Sequence, residues 1–210
     1  PVGVASHLKE YLPVPHVVKN AEGKFEMVNA AENSVGHVSG FMGNFGVILR
    51  ACCYILMLGR QNIRLAGKFA TMSANYIKES LKDCYKLPIP SICKHEFVFD
   101  GLVNDGGRPA TDSSEEVPGA TTLDIAKRLL DFGFHAPTIY FPLLFHQAIM
   151  IEPTETESKE TIDAFIDVMR KIAEEAAESP AILKGAPHCT PIGRPDETMA
   201  ARQPKLKFWD

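Results

Sequence analysis

The sequence lacks the long hydrophobic run that a membrane-spanning helix needs. Its most apolar stretch, residues 45–58, is shorter than the roughly 20 residues that cross a bilayer and carries Arg50 in its middle. We therefore expect a buried helix there. The chain also shows no signal-peptide pattern and opens on Pro1 rather than on Met. We expect further sequence upstream of this residue.

The cysteines and the basic residues argue against two classes of protein, disulfide-stabilised scaffolds and nucleic-acid-binding proteins. The five cysteines, an odd number, have no regular spacing. This suits a reduced, cytoplasmic protein better than a disulfide scaffold. The 22 Lys and Arg residues are outnumbered by 26 Asp and Glu, for a net charge of -4, and no basic patch stands out. Nucleic acid is therefore not an expected partner.

Motifs of the common metal and hydrolase sites are also missing. The pair His188-Cys189 has no Cys-x-x-Cys, His-x-x-x-His or His-Glu-x-x-His spacing around it, so we expect no metal site. No Gly-x-Ser-x-Gly stretch is present, which leaves a Ser-His-Asp triad without its nucleophile.

Hydrophobic spacing and turn residues predict an α/β protein. The order of elements after residue 90 is typical of a small α/β domain with a mostly antiparallel sheet and helices on one face. The predicted elements are strands at 2–6, 95–100, 138–144 and 148–151, helices at 44–58, 62–82 and 122–132, and a helix opened by a capping box at 154–157. Gly59 and Gly133 are predicted to end helices, and Asn62 to cap one.

The glycine-rich segment Gly36–Asn44 leads directly into the first long helix. Backbone N–H groups at a helix N-terminus can bind an anion. The alternative is a plain turn in which Ser39 or Asn44 caps the helix.

Two histidines lie beside predicted strands. His95 begins one, and a lone histidine at such a place is more often structural than catalytic. His135 follows a helix and precedes Pro137 and Thr138. Pro137 stiffens the segment, so His135 and Thr138 can be held toward a cleft. The alternative is a helix-to-strand connection with polar residues at its surface.

Several segments together resemble one family, the glycine decarboxylases (P proteins of the glycine cleavage system), in particular subunit 2 of their two-subunit type. The resemblance covers nearly the whole chain, and its most specific pair is Gly133-Phe-His-Ala-Pro-Thr138 with Glu152-Pro-Thr-Glu-x-Glu157. The other matching segments are Pro1-Val-Gly-Val, His7-Leu-x-x-Tyr11-Leu-Pro13-x-Pro15, Gly43-Asn-Phe45, Ala74-Asn-Tyr76, His95-Glu-Phe97 and Tyr140-Phe-Pro142.

The resemblance implies the C-terminal part of a fold-type-I enzyme that uses pyridoxal phosphate. Residues 1–83 would be the tail of the large domain with its linking helices, 84–180 a small α/β domain, and 181–210 an extended tail. The complete enzyme would decarboxylate glycine and transfer the aminomethyl group to the lipoyl carrier (H) protein. Its partners would be subunit 1, the H protein and glycine, in a cytoplasmic hetero-oligomer.

The resemblance also implies roles for particular residues. His135 and Thr138 would line the mouth of the active site, with His135 donating a hydrogen bond or a positive charge to the departing carboxylate. His37, Ser39, Asn44 and His95 would contribute to the cofactor site, and Gly36–Asn44 would face a cofactor phosphate at a subunit interface.

One departure from the family concerns the cofactor lysine. The family carries it in a His-Lys-Thr motif, which this chain does not contain. We therefore expect these residues alone to be inactive and to bind pyridoxal phosphate poorly.

Two alternatives remain. One is another fold-type-I enzyme, such as an aminotransferase or a cysteine desulfurase. Those enzymes usually hold the substrate carboxylate with an arginine where this chain has His135-Ala-Pro-Thr138. The other alternative is a non-catalytic interaction domain.

Overall fold

The computed structural model describes residues 2–41, 43–107 and 118–208. It divides into two compact units, one up to Arg60 and the other from Gln61 onward. The division expected for the complete protein, with a boundary between residues 83 and 84, stays a prediction.

The first unit contains a 3-10 helix and a short hairpin. The 3-10 helix spans Ser6–Tyr11, and strands β1 (His16–Lys19) and β2 (Phe25–Val28) pair antiparallel. The strand predicted at 2–6 is wrong. A strand needs a hydrogen-bonded partner, and the two described strands of this unit pair with each other.

Helix α1 spans Phe45–Leu81 and is two helical segments on either side of Gly59. Gly59 has φ 70° and ψ 177°, a conformation that is essentially restricted to glycine, so the predicted break is confirmed. At the start of α1 the side chain of Asn44 accepts a hydrogen bond from the N–H of Val47 at 3.3 Å. Asn62 lies inside the helix instead of capping it, because only one residue departs from helical geometry.

The second unit is built on a three-stranded antiparallel sheet with the order β3-β5-β4, which confirms the predicted sheet type. Its strands are β3 (Phe97–Asp100), β4 (Thr138–Ile139) and β5 (Ala148–Ile151). Strand β4 is shorter than predicted because Tyr140 takes a left-handed conformation with φ 57°.

Two helices cover this sheet. Helix α2 (Thr122–Asp131) begins with a capping box between Thr121 and Asp124. Helix α3 (Lys159–Glu178) begins at the N-cap Ser158, whose hydroxyl accepts from the N–H of Thr161. The capping box predicted at 154–157 is therefore wrong. That segment forms a turn, in which Glu157 N–H donates to the carbonyl of Thr154 at 3.3 Å.

The core of the second unit lies between the sheet and these helices. Tyr85 is fully buried, and its hydroxyl donates to the carbonyl of Met169 at 2.9 Å. The buried Lys78 ammonium donates to the carbonyl of Ser91 at 2.6 Å, which ties the connection after α1 to that helix.

The segment after residue 180 is not an extended tail, because two short helices form there, α4 (Pro180–Gly185) and α5 (Glu197–Arg202). The chain between them returns to α2. The Asp131 carboxylate accepts from the N–H groups of His188 and Cys189, at 2.5 and 2.8 Å.

The described helices include none that is long and apolar enough to cross a membrane. All five cysteines are free thiols.

Candidate functional site

A cleft of about 570 Å³ opens in the second unit where β4, β5 and the start of α3 come together. One wall is the segment between α2 and β4, which carries His135 and Thr138. The opposite wall is the segment after β5, which carries Glu152, Thr154 and Glu157. The two most specific family segments, separated in the sequence, therefore line one cleft.

Local backbone geometry places His135 at this cleft. Gly133 has φ 77°, and α2 closes there with the Phe134 N–H donating to the carbonyl of Leu129. The chain then enters β4, where Thr138 lies opposite Met150 of β5. Both His135 and Thr138 are exposed, so their polar atoms are available to a ligand.

The floor of the cleft is apolar. Ile77, Ile151 and Ile162 are buried beneath it. The rings of Phe134 and Phe165 lie edge to face at its side, with centroids 5.5 Å apart. Small-molecule sites commonly combine such a floor with a few polar groups.

A second groove of about 430 Å³ adjoins the cleft and shares Glu152, Pro153 and Thr154 with it. His95 lies in this groove, with its Nε2 3.7 Å from the Glu152 carboxylate. The structure thus brings His95 beside the cleft that contains His135 and Thr138.

His95, Glu96 and Glu152 place three potential metal-ligand atoms within 4.8 Å of one another. All three side chains are exposed. Exposed carboxylate and imidazole groups of this kind are common without an ion, and the cluster is consistent with ordinary polar surface.

His37, Ser39 and Asn44 lie in the first unit and are exposed. The backbone of His37 forms an isolated bridge with Val14, and the Ser39 hydroxyl donates to the carbonyl of Phe41 at 2.7 Å. The side chain of Asn44 caps α1, which is the plainer of the two predicted alternatives.

These residues do not by themselves fit pyridoxal phosphate. Space beside Gly40 is open, which leaves room for an anion near the start of α1. However, the Ser39 hydroxyl and the Asn44 amide oxygen are engaged with the chain's own backbone. The described residues of the first unit therefore do not form a closed binding site by themselves, and the cofactor roles of His37, Ser39, Asn44 and His95 stay predictions.

Glu152, Glu157 and Phe165 also line the cleft but are not among the site residues predicted from the sequence. The sequence pattern assigns Glu157 to a capping box that begins at Thr154. The two glutamates belong to a segment that resembles the family, as does Gly133–Thr138, and this shared resemblance is the signal that points to them.

Comparison with known sequences decides the family. A family described as "Glycine dehydrogenase, C-terminal domain" matches residues 66–188, more than half of the chain. The chain belongs to this family.

Relatives in this family are similar to the chain over 99% of its length. A "Probable glycine dehydrogenase (decarboxylating) subunit 2" from Staphylococcus haemolyticus (strain JCSC1435) is 52% identical over 208 residues, which is 99% of this chain and 40% of the relative. One of the same description from Kosmotoga olearia is 47% identical over 99% of this chain and 41% of its own length. The chain thus spans about 40% of the length of these glycine dehydrogenase subunits.

A crystal structure of glycine decarboxylase (P-protein) of the glycine cleavage system, in inhibitor-bound form, has a similar fold. The TM-score is 0.53 at 15% identity, over 80% of this chain and 37% of that one. At this identity the likeness concerns the fold, and it confirms the predicted fold class.

Proposed function

We propose that this chain forms the C-terminal part of subunit 2 of a glycine decarboxylase. The complete enzyme decarboxylates glycine and passes the aminomethyl group to a lipoyl carrier protein. The support is the family membership, together with 52% identity to a subunit described as glycine dehydrogenase (decarboxylating). The descriptor "subunit 2" supports a partner subunit and hence a hetero-oligomer. Five free thiols are in keeping with a cytoplasmic enzyme.

The observation that carries the proposal is the cleft shared by the family's two most specific segments. His135 and Thr138 face Glu152, Thr154 and Glu157 across it, and Thr138 pairs with Met150, 12 positions further along the chain. Segments that are distinctive in sequence and converge in space around an open cleft are typical of a functional site.

In this proposal His135 and Thr138 are at the mouth of the active site. The imidazole N–H of His135 donates a hydrogen bond to the carboxylate of glycine, and Thr138 offers a hydroxyl beside it. The cleft contains no arginine among its described lining residues. This favours a glycine decarboxylase over an aminotransferase or a cysteine desulfurase, which usually bind the carboxylate with arginine.

Pyridoxal phosphate is the proposed cofactor of the complete enzyme. In enzymes of this class it supplies the electron sink for decarboxylation of an amino acid. Since the described residues do not form a closed site for it, we assign most of its contacts to the remainder of the enzyme. The segment Gly36–Asn44 would offer backbone N–H groups to its phosphate at a subunit interface, and His95 would lie at the edge of the site.

The test is His135→Ala in the complete enzyme, with glycine–bicarbonate exchange measured in the presence of the lipoyl carrier protein. We expect exchange to fall about a hundredfold, the size of effect seen when one positioned hydrogen-bond donor is removed. His146→Ala is the matched control, because His146 is an exposed histidine in the same part of the second unit but does not line the cleft.

Circular dichroism of both variants establishes that the fold is intact. Near-normal exchange in the folded His135→Ala enzyme would show that His135 is a structural residue. An equal loss in both variants would show that the effect is not specific to the cleft.

A further inference from the structure

The segment Ala74-Asn-Tyr76 resembles the family, and the proposed function leaves it without a role. It lies in the second half of α1, within the second unit. Ala74 is fully buried, and the Tyr76 hydroxyl donates to the Asp163 carboxylate in the first turns of α3, at 2.8 Å. Asn75, between these two residues, makes a different kind of contact, because its side chain holds the main chain of another segment.

The side-chain amide of Asn75 binds both main-chain groups of Cys93. Its Nδ2 donates to the Cys93 carbonyl at 2.8 Å, and its Oδ1 accepts from the Cys93 N–H at 3.1 Å. Nδ2 also donates to the carbonyl of Thr71, one turn earlier in α1, at 2.8 Å. An asparagine amide has two donor hydrogens and one acceptor oxygen. The three hydrogen bonds therefore engage all of these atoms and fix the orientation of the amide.

A second side chain of α1 holds the same segment. Lys78 is three residues after Asn75 and therefore lies on the same face of the helix. Its buried ammonium donates to the carbonyl of Ser91 at 2.6 Å. The chain that leads to β3 is thus attached to α1 at two places, and the attachment by Asn75 is the one nearer to His95.

His95 lies midway between two anchored residues. Cys93 precedes it by two positions, and Phe97, the first residue of β3, follows it by two. Phe97 pairs with the last residue of β5, which Glu152 follows directly. The sheet therefore restrains the chain on one side of His95, and Asn75 restrains it on the other. These restraints leave few conformations open to a residue whose Nε2 lies 3.7 Å from the Glu152 carboxylate.

We propose that Asn75 is a positioning residue, which holds the main chain of Cys93 so that His95 stays beside Glu152 at the edge of the cleft. The inference rests on the proposed function, in which His95 lies at the edge of the active site. It adds that a residue of α1 outside the lining of the cleft controls where this imidazole lies. The alternative, that Asn75 only stabilises the fold, predicts the same loss of activity whatever residue occupies position 95.

Hydrogen–deuterium exchange of the complete enzyme, read by mass spectrometry with fragmentation to single residues, measures the attachment itself. Asn75→Ala removes all three hydrogen bonds. The Cys93 amide should therefore exchange about fivefold faster or more, the effect expected when one hydrogen bond is lost. If Asn75→Ala does not fold, Asn75→Leu serves in its place, because it also removes the three hydrogen bonds and fills more of the space that the amide occupied.

A double-mutant cycle on glycine–bicarbonate exchange tests whether Asn75 acts through His95. Asn75→Ala should lower the exchange rate about tenfold, since small displacements of an active-site group are costly, and His95→Gln should lower it at least as much. In the His95→Gln background, Asn75→Ala should lower the rate further by no more than about twofold, because both changes then remove the same contribution.

Asn104→Ala is the matched control for this cycle. The Asn104 side chain also accepts a hydrogen bond from a backbone N–H, that of Gly106, at 3.1 Å, but it lines neither the cleft nor the adjoining groove. This variant should change the exchange rate by less than about twofold in either background.

An equal loss from Asn75→Ala in both backgrounds would overturn the proposal and show that Asn75 is purely structural. A Cys93 amide that exchanges at the wild-type rate in this variant would overturn it as well. Neither outcome touches the proposed function, because both are measured against an active wild-type enzyme. A wild-type enzyme without exchange activity would instead overturn the proposed function and the part of His95 in it, while deuterium exchange would still show whether Asn75 holds Cys93.

Discussion

The two units differ in where their apolar side chains lie. In the described part of the unit up to Arg60, Val14 is the one buried hydrophobic residue, whereas the unit from Gln61 holds a continuous core that includes Phe99, Leu129 and Met169 at 0% exposure. On the first half of α1, Leu56 is 76% exposed. Apolar residues are abundant in both units, so composition alone does not tell which unit stabilises itself. The difference teaches that the first unit needs another surface to cover its helix.

The sharpest test of this contrast uses the same substitution in each unit. Leu129→Ala removes a fully buried side chain and should lower the free energy of unfolding by about 2–5 kcal/mol. Leu56→Ala changes an exposed side chain and, at a protein concentration at which the chain is monomeric, should change the free energy of unfolding by no more than about 0.5 kcal/mol. Urea unfolding followed by circular dichroism measures both. Similar losses in the two variants would contradict the contrast and would show that Leu56 is covered in solution.

The exposed half of α1 should also drive self-association of the isolated chain. Burying a Leu or Met side chain contributes about 1.5–3 kcal/mol, and Leu56 and Met57 are 76% and 78% exposed. Sedimentation equilibrium should show association that increases with concentration and is reduced in the double variant Leu56→Glu, Met57→Glu.

Ile92→Glu is the matched control for association, since Ile92 is 88% exposed but belongs to the second unit. A monodisperse monomer with a single cooperative transition would show that the first unit needs no cover.

The Asp131 carboxylate holds the segment after α4 to α2. Its loss is expected to lower the free energy of unfolding less than Leu129→Ala does. Burial would raise its pKa, but the Cys189 N–H, the Arg128 guanidinium and the His188 N–H together hold this pKa below the usual value. The stability that Asp131 contributes is therefore fully present above the unfolded-state pKa of about 3.9, and it is lost as the pH falls through the lower folded-state pKa.

Asp131→Asn tests this dependence. The variant should be less stable than the wild type at pH 7, by about 1–2 kcal/mol, the size expected for hydrogen bonds to a charged group. It should also lose less stability than the wild type on going from pH 5 to pH 2.5 in urea unfolding experiments. Asp167→Asn, at an exposed position of α3, controls for the loss of one carboxylate. A parallel acid loss in the wild type and Asp131→Asn would exclude Asp131 as its source.

Local signals in the sequence predicted part of this fold well. Gly59 and Gly133 both take positive φ, and the predicted helix ends follow from them. The errors arose where a local signal competed with tertiary contacts. The segment 2–6 has an apolar pattern but pairs with none of the described strands, and Ser158 rather than Thr154 is the residue before α3. The helices after residue 180 were missed because the prolines there dominated the prediction.

The candidate site followed from the sequence only in part. His135 and Thr138 belong to one segment, and the stiffness of Pro137 predicts that both can face a cleft, which both residues line. The cofactor roles of His37, Ser39, Asn44 and His95 stay predictions. Glu152 and Glu157 reach the same cleft through the pairing of Thr138 with Met150, a register that no local pattern reveals.

Gly59 also affects how helix α1 unfolds locally. Helix formation propagates from residue to residue, and a single residue outside helical geometry interrupts that propagation. The two segments of the 37-residue α1 can therefore unravel independently. Backbone amides before Gly59 should exchange with deuterium through local opening, while those around Ala74 and Ile77, buried in the core, exchange only when the second unit unfolds as a whole.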